Sequence, residues 1–137
     1  MFDSRVLNFS VKSGEHSKNI DSSIKVWNFL LENGFKRNDL LINLGGGMIT
    51  DLGGFVASTF MRGIKFINVP TSLLAMVDAS IGGKTGIDFK EVKNLIGVFE
   101  FAKISLIDLR FLKTLSKRQI TSGYAEMIKH SLISDNS

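Results

Sequence analysis

The chain has 137 residues, 44% of them hydrophobic, which is enough for one domain with a real core but not for two. It contains no cysteine, so a disulfide scaffold, a thiolate nucleophile and a zinc site built on cysteines are all excluded. The formal net charge of +4 is modest, and because the basic residues are neither clustered along a helix nor interleaved with exposed aromatics, we expect no nucleic-acid partner.

Membrane and export signals are not visible in this sequence. No apolar run approaches the ~20 residues that a membrane helix needs. The first ten residues alternate polar and apolar types and lack the cationic start and apolar stretch of a signal peptide. Together with the absence of cysteine, this predicts a cytoplasmic protein without a membrane partner.

The first half of the chain alternates strand and helix patterns. Alternating apolar residues predict a strand over residues 5–11, and residues 21–23 offer an N-cap for a helix that Gly34 ends. The apolar face predicted for this helix comprises Ile24, Trp27, Leu30 and Leu31. The apolar run 40–44 is short enough for a buried parallel strand, and a helix over residues 48–60 follows three glycines.

The second half continues the alternation. Residues 65–69 predict another buried strand, closed by Pro70, and Thr71 or Ser72 can cap the short helix that follows. Residues 78–97 are rich in Gly, Lys and Asp and predict a loop, and residues 104–107 predict a further strand. A last helix is predicted over residues 116–133. Its apolar side comprises Ile120, Tyr124, Met127, Ile128 and Leu132.

Strands that alternate with helices predict an α/β fold, in which a parallel sheet is covered by helices on both faces. In such sheets ligands bind beyond the carboxyl ends of the strands. Gly45, Thr71 and Asp108 all follow predicted strands directly. The candidate site is therefore expected at this edge of the sheet.

The glycine run Gly45-Gly46-Gly47 is typical of a phosphate-binding turn. Glycine allows positive φ and lets a phosphate lie against the main chain, and the N-terminus of the next helix would face that anion. Gly53 and Gly54 lower the helix propensity of the segment, which is tolerable if they let the helix lie close to the sheet. The spacing matches neither the dinucleotide fingerprint nor the P-loop, so nucleotide binding and an ordinary strand-to-helix turn both stay open.

Other candidate residues also have two interpretations when taken alone. Thr71 and Ser72 suit either a helix cap or a ligand contact. Lys84, in a glycine-rich loop, suits an anion site or a solvated turn. Glu126 and His130 stand four residues apart on a predicted helix, a spacing that places both on one face and suggests a metal pair.

A series of motifs, in this order and spacing, resembles the 3-dehydroquinate synthase family over residues 13–133. The motifs are the segments 45–55, 62–63, 69–74, 77–85, 93–97, 111–115 and 122–129. The resemblance implies a lyase that binds NAD and a divalent metal, zinc or cobalt. It further implies the cyclisation of a phosphorylated sugar acid, 3-deoxy-D-arabino-heptulosonate 7-phosphate, to 3-dehydroquinate with release of phosphate, in the shikimate pathway of aromatic amino acid biosynthesis.

Site residues follow from the resemblance position by position. Those implied to contact NAD are Ser13, Gly14, Glu15, His16, Ser17, Lys18, Gly47, Met48, Ile49, Thr50, Asp51, Thr71, Ser72, Lys84, Lys93, Phe111, Leu112, Lys113 and Thr114. Those implied to surround the substrate are Asp78, Lys84, Asn94 and Lys129. Arg62 is implied to reach a phosphate, either in its own subunit or across the interface of a homodimer.

Glu126 is the metal ligand that the resemblance implies in this chain. The family's two histidine ligands lie further along, in a part that this chain lacks, so the resemblance argues against a Glu126–His130 pair. We expect His130 to be a half-buried packing residue and His16 to be a surface residue. With one of three ligands present, we expect no tightly held zinc.

Members of the family are more than twice as long as this chain. The resemblance implies that residues 1–115 form a Rossmann-like NAD-binding domain, incomplete at its N-terminus, and that residues 116–137 begin a helical domain. We expect the chain to be inactive on its own. Two alternatives remain, a related sugar phosphate cyclase and a non-catalytic nucleotide-binding fragment.

Overall fold

The computed structural model describes residues 5–133, and its order of helices and strands confirms the α/β class. The helices are α1 (Ile20–Glu32), α2 (Gly47–Thr59) and α3 (Lys117–Ile133). The strands are β1 (Leu40–Gly45), β2 (Lys65–Pro70), β3 (Lys84–Phe89) and β4 (Val92–Phe99). Short 3-10 turns lie at Glu15–Ser17, Phe60–Arg62 and Leu109–Thr114, and a π-helical turn lies at Ala75–Ala79.

The parallel pair β1 and β2 forms the centre of the fold, in register from Leu40 opposite Lys65 to Gly45 opposite Pro70. The strand predicted over residues 104–107 is reduced to one parallel bridge, with Ser105 opposite Asn68. Pairing stops there because Asp108 already caps the next 3-10 turn, its Oδ1 accepting from the Arg110 N–H at 2.9 Å. The segment still follows β2, since the Asn68 N–H donates to the Ile104 carbonyl at 2.9 Å and the Leu106 N–H donates to the Asn68 carbonyl at 2.8 Å. The strand predicted over residues 104–107 is therefore confirmed only around Ser105.

Helix α2 packs directly on the strands, and its two internal glycines make this possible. A Cβ at Gly53 would collide with the Asn43 side chain of β1, and one at Gly54 would collide with the Thr85 side chain of β3. The prediction that these glycines serve close packing is confirmed. The core that forms around α2 comprises Val26, Leu30, Leu52, Phe55, Val56, Ala57, Ile64, Phe66 and Ile87.

A buried amide ladder connects the strands to the π-helical turn. Asn43 Nδ2 donates to Asn68 Oδ1 at 3.0 Å, and Asn68 Nδ2 donates to the Ser80 carbonyl at 3.1 Å. Both asparagines are 4% exposed, so these hydrogen bonds satisfy amides that would be costly to bury unpaired. The ladder holds the turn against the carboxyl end of β2.

Residues 5–11 form no strand, contrary to the prediction. A strand needs a neighbour for its backbone hydrogen bonds, and within residues 5–133 no strand pairs with this segment. Val6 is 81% exposed, whereas Phe9 packs against Phe29 with ring centroids 5.0 Å apart.

Helix α1 begins earlier than predicted. Its N-cap is Asn19, which accepts from the Ser22 N–H at 2.9 Å, because Asn19 has the extended backbone of a cap. The buried positions are Ser23, Val26 and Leu30, while the predicted core residues Ile24 and Leu31 are exposed. Gly34 ends the helix with a φ of 69°, as predicted.

The loop predicted over residues 78–97 is instead mostly an antiparallel hairpin of β3 and β4. Its turn contains Lys90 at a φ of 55°. Gly86 lies opposite Gly97, so the two strands approach closely there. In the sequence, these glycines and the charged turn interrupt the alternation of apolar residues that would have predicted two strands.

Two apolar surfaces stay exposed. Leu40, Ile42 and Leu44 of β1, predicted to be buried, are 45–58% exposed. Helix α3 has the predicted extent, but Tyr124, Met127, Ile128 and Leu132 on its apolar side are exposed as well. Within residues 5–133, no helix is sufficiently long and apolar to cross a membrane.

Candidate functional site

A cleft of about 850 Å³ opens between the N-terminus of α2, the π-helical turn, the β3–β4 hairpin and the first turns of α3. It lies where the parallel strands end, as the sequence predicts. The predicted site residues that line it are Glu15, Lys18, Gly47, Met48, Asp51, Ser72, Asp78, Lys84 and Asn94. The glycine corner and Lys84 therefore share one cleft.

The glycine corner works by close approach and not by positive φ. Gly46 is the N-cap of α2 with a φ of −75°, and within residues 5–133 the glycines with positive φ all lie elsewhere. A Cβ at Gly46 would lie 3.3 Å from Ser72 Oγ, and one at Gly47 would lie 3.3 Å from Ala79 Cβ. Bare main chain and the positive end of the α2 dipole thus face the cleft, an arrangement suited to a phosphate.

Two predicted contacts in this segment point away from the cleft. The Thr50 side chain is buried and its hydroxyl donates to the Gly47 carbonyl at 3.0 Å. Ile49 packs beside Gly45. These two side chains therefore support the glycine corner from the side that does not face the cleft.

Lys18 is the centre of a buried charge cluster in the cleft wall. Its side chain is 3% exposed, and its Nζ lies 2.9 Å from Glu15 Oε1 and 3.1 Å from Asp51 Oδ2. Burial alone would lower the pKa of Lys18, but the hydrogen bond to Glu15 and the charge of Asp51 outweigh it and raise that pKa above its ordinary value. Burial also raises the pKa of Asp51, although Lys18 partly opposes this.

The same lysine holds the hairpin. Lys18 Nζ donates to Asn94 Oδ1 at 2.5 Å, and the Asn94 N–H donates to Asp88 Oδ1 at 2.8 Å. Asn94 has a φ of 52°, a conformation that asparagine tolerates better than most residues. The sequence placed Lys18, Asp51 and Asn94 in the site one by one, but missed Asp88 and the contacts that join them.

Ser72 combines both interpretations that the sequence left open. Its Oγ accepts from the Ala75 N–H at 3.4 Å, which makes it the cap of the following turn, and it also lines the cleft. Thr71 is not part of the lining, and its N–H donates to the Gly45 carbonyl at 2.9 Å. Lys84 is exposed on the cleft wall, at the start of β3.

At the edge of the cleft, α3 contacts the π-helical turn through polar groups. His130 Nε2 lies 3.2 Å from Asp78 Oδ1 and 3.6 Å from Glu126 Oε1, and Lys129 forms an ion pair with Glu126. The His130 side chain is 44% exposed, so it is half-buried as expected, and the contacts that position it are with the carboxylates of Asp78 and Glu126. His16 is exposed, as expected.

The remaining predicted residues lie outside the cleft lining. Arg62 stands just past the C-terminal end of α2, at the end opposite Gly47, with a φ of 67°. Lys93 is exposed on β4. The others not in the lining are Ser13, Gly14, His16, Ser17, Phe111, Leu112, Lys113, Thr114 and Lys129. Their proposed contacts stay predictions.

Comparison with known proteins decides the family. The model of the 3-dehydroquinate synthase N-terminal family matches residues 8–122. The chain belongs to the 3-dehydroquinate synthase family. The matched range includes the glycine corner, the π-helical turn, the hairpin and the first turns of α3.

Individual relatives agree with this assignment. The chain is 53% identical over 129 residues to a bifunctional 3-dehydroquinate synthase/phosphatase from Fusobacterium nucleatum subsp. nucleatum, covering 94% of this chain and 19% of that protein. It therefore spans about a fifth of the length of this relative. Other relatives of this chain are named 3-dehydroquinate synthase, and an enzyme of that name is a lyase.

Solved structures show the same fold. ValA, the 2-epi-5-epi-valiolone synthase from Streptomyces hygroscopicus subsp. jinggangensis with NAD+ and Zn2+ bound, superposes with a TM-score of 0.84 at 35% identity. It is covered to 33%, and this chain to 87%. A 2-deoxy-scyllo-inosose synthase complexed with carbaglucose-6-phosphate, NAD+ and Co2+ superposes with a TM-score of 0.86 at 28% identity, over 92% of this chain and 34% of that one.

Proposed function

We propose that this chain supplies the NAD-binding cleft of a 3-dehydroquinate synthase. The reaction would convert 3-deoxy-D-arabino-heptulosonate 7-phosphate to 3-dehydroquinate and release phosphate, in the shikimate pathway and in the cytoplasm. The observation that carries the proposal is one cleft in which the glycine corner at Gly47 faces Lys84, Asp78 and Asn94. Because the chain spans only a fifth to a third of the relatives described above, we propose that it is inactive by itself.

The residues present fit a dinucleotide. Side chains at Gly46 and Gly47 would narrow the space between α2 and the π-helical turn, so their absence leaves bare main chain for a pyrophosphate. Lys84 adds an exposed cation to the lining of the same cleft, suited to a phosphate or carboxylate. When bound, NAD would supply hydride acceptance and return, and a divalent metal such as zinc would acidify a hydroxyl.

The position of Arg62 supports the proposal that it acts in a homodimer. It lies at the far end of α2 from the cleft, and its side chain is exposed. A 13-residue helix is ~20 Å long, so Arg62 is too distant to reach a ligand in its own cleft. A phosphate contact by Arg62 would therefore be made in the cleft of a second subunit.

A related sugar phosphate cyclase is the second candidate, favoured by the names of the two solved neighbours. Both superpose closely on this chain although they are named for other carbocyclic products. The cleft described here holds the cofactor side of the site, which these enzymes share. The choice of substrate is tested by turnover and not by cofactor binding.

Calorimetric titration of the chain with NAD tests the cleft. We expect binding, and we expect Lys84→Ala to weaken it about tenfold, because a charge-assisted contact contributes about 1.4 kcal/mol or more. Lys65→Ala is the matched control, since Lys65 is exposed at the opposite end of the parallel strands. No heat from the unmodified chain, or equal weakening by both variants, would contradict the proposal.

A phosphate-release assay tests the proposed inactivity of this chain alone. With NAD, zinc and 3-deoxy-D-arabino-heptulosonate 7-phosphate present, we expect no phosphate from this chain alone. Release at an enzymatic rate would overturn the expected inactivity. NAD binding without release is the outcome that fits a cofactor-binding portion of the enzyme.

A further inference from the structure

We propose that Asp88 is a positioning residue of the cleft, which holds Asn94 so that the Asn94 side-chain amide donates to a ligand. Asn94 is implied to surround the substrate by family resemblance, whereas Asp88 is assigned here from geometry. The ligand group that the amide would bind is an oxygen acceptor of a phosphate, a carboxylate or a hydroxyl. The inference rests on the proposed function for the ligand alone, and its first test uses no ligand.

Asn94 lies in an irregularity of the β3–β4 hairpin. The pairs on either side of this irregularity are Ile87 with Ile96 and Phe89 with Val92. Between them, Asp88 of β3 stands opposite residues 93–95 of β4, so β4 has a bulge at this point. A bulge bends its strand and re-aims a side chain, and bulges are frequent beside active sites. This one places Asn94, with a φ of 52°, in the lining of the cleft.

The Asp88 carboxylate stabilises the main chain of this bulge. Its Oδ1 accepts from the Asn94 N–H at 2.8 Å, at a position where the regular pairing of the two strands is interrupted. Asparagine adopts a positive φ more readily than most residues, but the conformation still has a cost, which this charge-assisted hydrogen bond offsets. The Asp88 side chain is 17% exposed, so water competes little for the carboxylate.

Asp88 is itself fixed to the segment that leads into α1. Its N–H donates to the Lys18 carbonyl at 2.8 Å, and Asn19 forms an isolated parallel bridge with it. Its Oδ1 also lies 3.9 Å from Lys18 Nζ, within the charge cluster of the cleft wall. Because the Lys18 side chain is 3% exposed, Asp88 is tied to a buried part of the molecule and can hold Asn94 in place.

The contact with Lys18 also fixes the orientation of the Asn94 side-chain amide. Lys18 Nζ donates to Asn94 Oδ1 at 2.5 Å, and because an ammonium group has donors but no acceptor, the amide oxygen must face it. The amide NH2 group therefore points away from Lys18, and no residue among 5–133 accepts a hydrogen bond from it. Asn94 is exposed and lines the cleft, so this NH2 group is free to donate to an oxygen of a ligand.

Hydrogen exchange of the Asn94 backbone N–H, followed by NMR on the isotope-labelled chain, tests the positioning without a ligand. We expect Asp88→Ala to speed this exchange about tenfold, because a hydrogen bond to a charged acceptor is lost. Asp88→Asn keeps an oxygen acceptor on a side chain of the same shape, so we expect it to restore most of the protection. Unchanged exchange of the Asn94 N–H in folded Asp88→Ala would overturn the proposal.

Asp39→Ala is the matched control. Asp39 also accepts from a backbone N–H, that of Lys36 at 2.6 Å, but it is exposed and lies outside the cleft lining. We expect this variant to leave the exchange of the Asn94 N–H as it is in the unmodified chain, and circular dichroism would show that all variants are folded. Exchange at Asn94 that is equally fast in Asp39→Ala and Asp88→Ala would also overturn the proposal.

Two calorimetric titrations identify the ligand, one with NAD and one in which 3-deoxy-D-arabino-heptulosonate 7-phosphate is added to the NAD-saturated chain. We expect Asp88→Ala to weaken binding of the sugar phosphate about fivefold and Asp88→Asn to leave it nearly unchanged. Weaker binding of NAD instead would also support the proposal and would assign the amide donor to the cofactor.

The outcomes separate this inference from the proposed function. Affinities of Asp88→Ala for both ligands that equal those of the unmodified chain would overturn the role of Asp88 in ligand binding. Absence of NAD binding by the unmodified chain would contradict the proposed function, whereas the exchange of the Asn94 N–H would still decide whether Asp88 positions Asn94.

Discussion

Replacement of Lys18 by methionine is expected to lower the free energy of unfolding by about 3 kcal/mol. Lys18 is 3% exposed and contacts the carboxylates of Glu15 and Asp51 and the amide of Asn94. Methionine fills a similar volume but leaves Asp51 negatively charged and poorly solvated. We place the effect at the lower end for buried ion pairs because the Glu15 side chain is 45% exposed and regains water.

Urea denaturation of the two proteins at neutral pH measures this difference. Lys25→Met is the matched control, since Lys25 belongs to α1 and is exposed, and we expect it to change stability by less than about 0.5 kcal/mol. The double variant Lys18→Met with Asp51→Asn should recover part of the loss, because position 51 then carries no unpaired buried charge. Equal stability of Lys18→Met and Lys25→Met would contradict the structural role of the cluster.

The difference in unfolding free energy between the unmodified chain and Lys18→Met also depends on pH, and the direction of this dependence follows from the pKa of Lys18. The pKa of Lys18 in the folded chain is raised above its ordinary value of 10.5, so the folded state retains a proton that the unfolded state releases. Its contribution to stability is fully present below about pH 10.5 and is lost as the pH rises through the higher folded value. On the alkaline side, the stability gap between the unmodified chain and Lys18→Met should therefore narrow only at strongly alkaline pH.

Gly53→Ala is expected to destabilise the chain by about 2–3 kcal/mol, although alanine is the better helix former. A Cβ at this position would collide with the Asn43 side chain, whose amide is buried and hydrogen-bonded to Asn68. Overpacking costs about 1–3 kcal/mol and breaking the buried amide pair a similar amount, whereas the gain in helix propensity offsets only about 1 kcal/mol.

Thermal or urea unfolding checks this prediction against Gly82→Ala. Gly82 is exposed, and a Cβ there would meet its nearest neighbour, the Asp78 carbonyl, at 3.8 Å, so we expect a change within about 0.5 kcal/mol. Combining Gly53→Ala with Asn43→Ala makes room for the new methyl group, and this pair should destabilise less than the sum of the single changes. Strict additivity would show that the two residues do not compete for space.

The central strand-glycine-helix-strand unit was readable from the sequence because its signals are local. An apolar run, a glycine corner, a 13-residue helix and a second apolar run each depend on neighbouring residues only. The edge of the sheet at which the site lies followed from the rule for parallel strands. The motif series predicted that Gly47, Lys84 and Asn94 belong to one site. The same local reasoning predicted α3 correctly.

Residues 5–11 show the limit of local patterns. Their alternation predicts a strand, but a strand forms only where another one offers backbone partners, and none does so within residues 5–133. The β3–β4 hairpin shows the reverse case. Its glycines predict a loop, although Gly86 and Gly97 allow the two strands to approach each other closely.

By itself, the sequence determined the α/β order and the family, and it predicted a set of candidate site residues. Only the tertiary structure decided which of those residues touch. Lys18 meets Asn94 across 76 positions of the chain, and His130 meets Asp78 across 52. Such contacts arise from how helices and strands pack, because a few ångströms of approach, set by residues such as Gly53 and Gly123, bring side chains together that no local spacing relates.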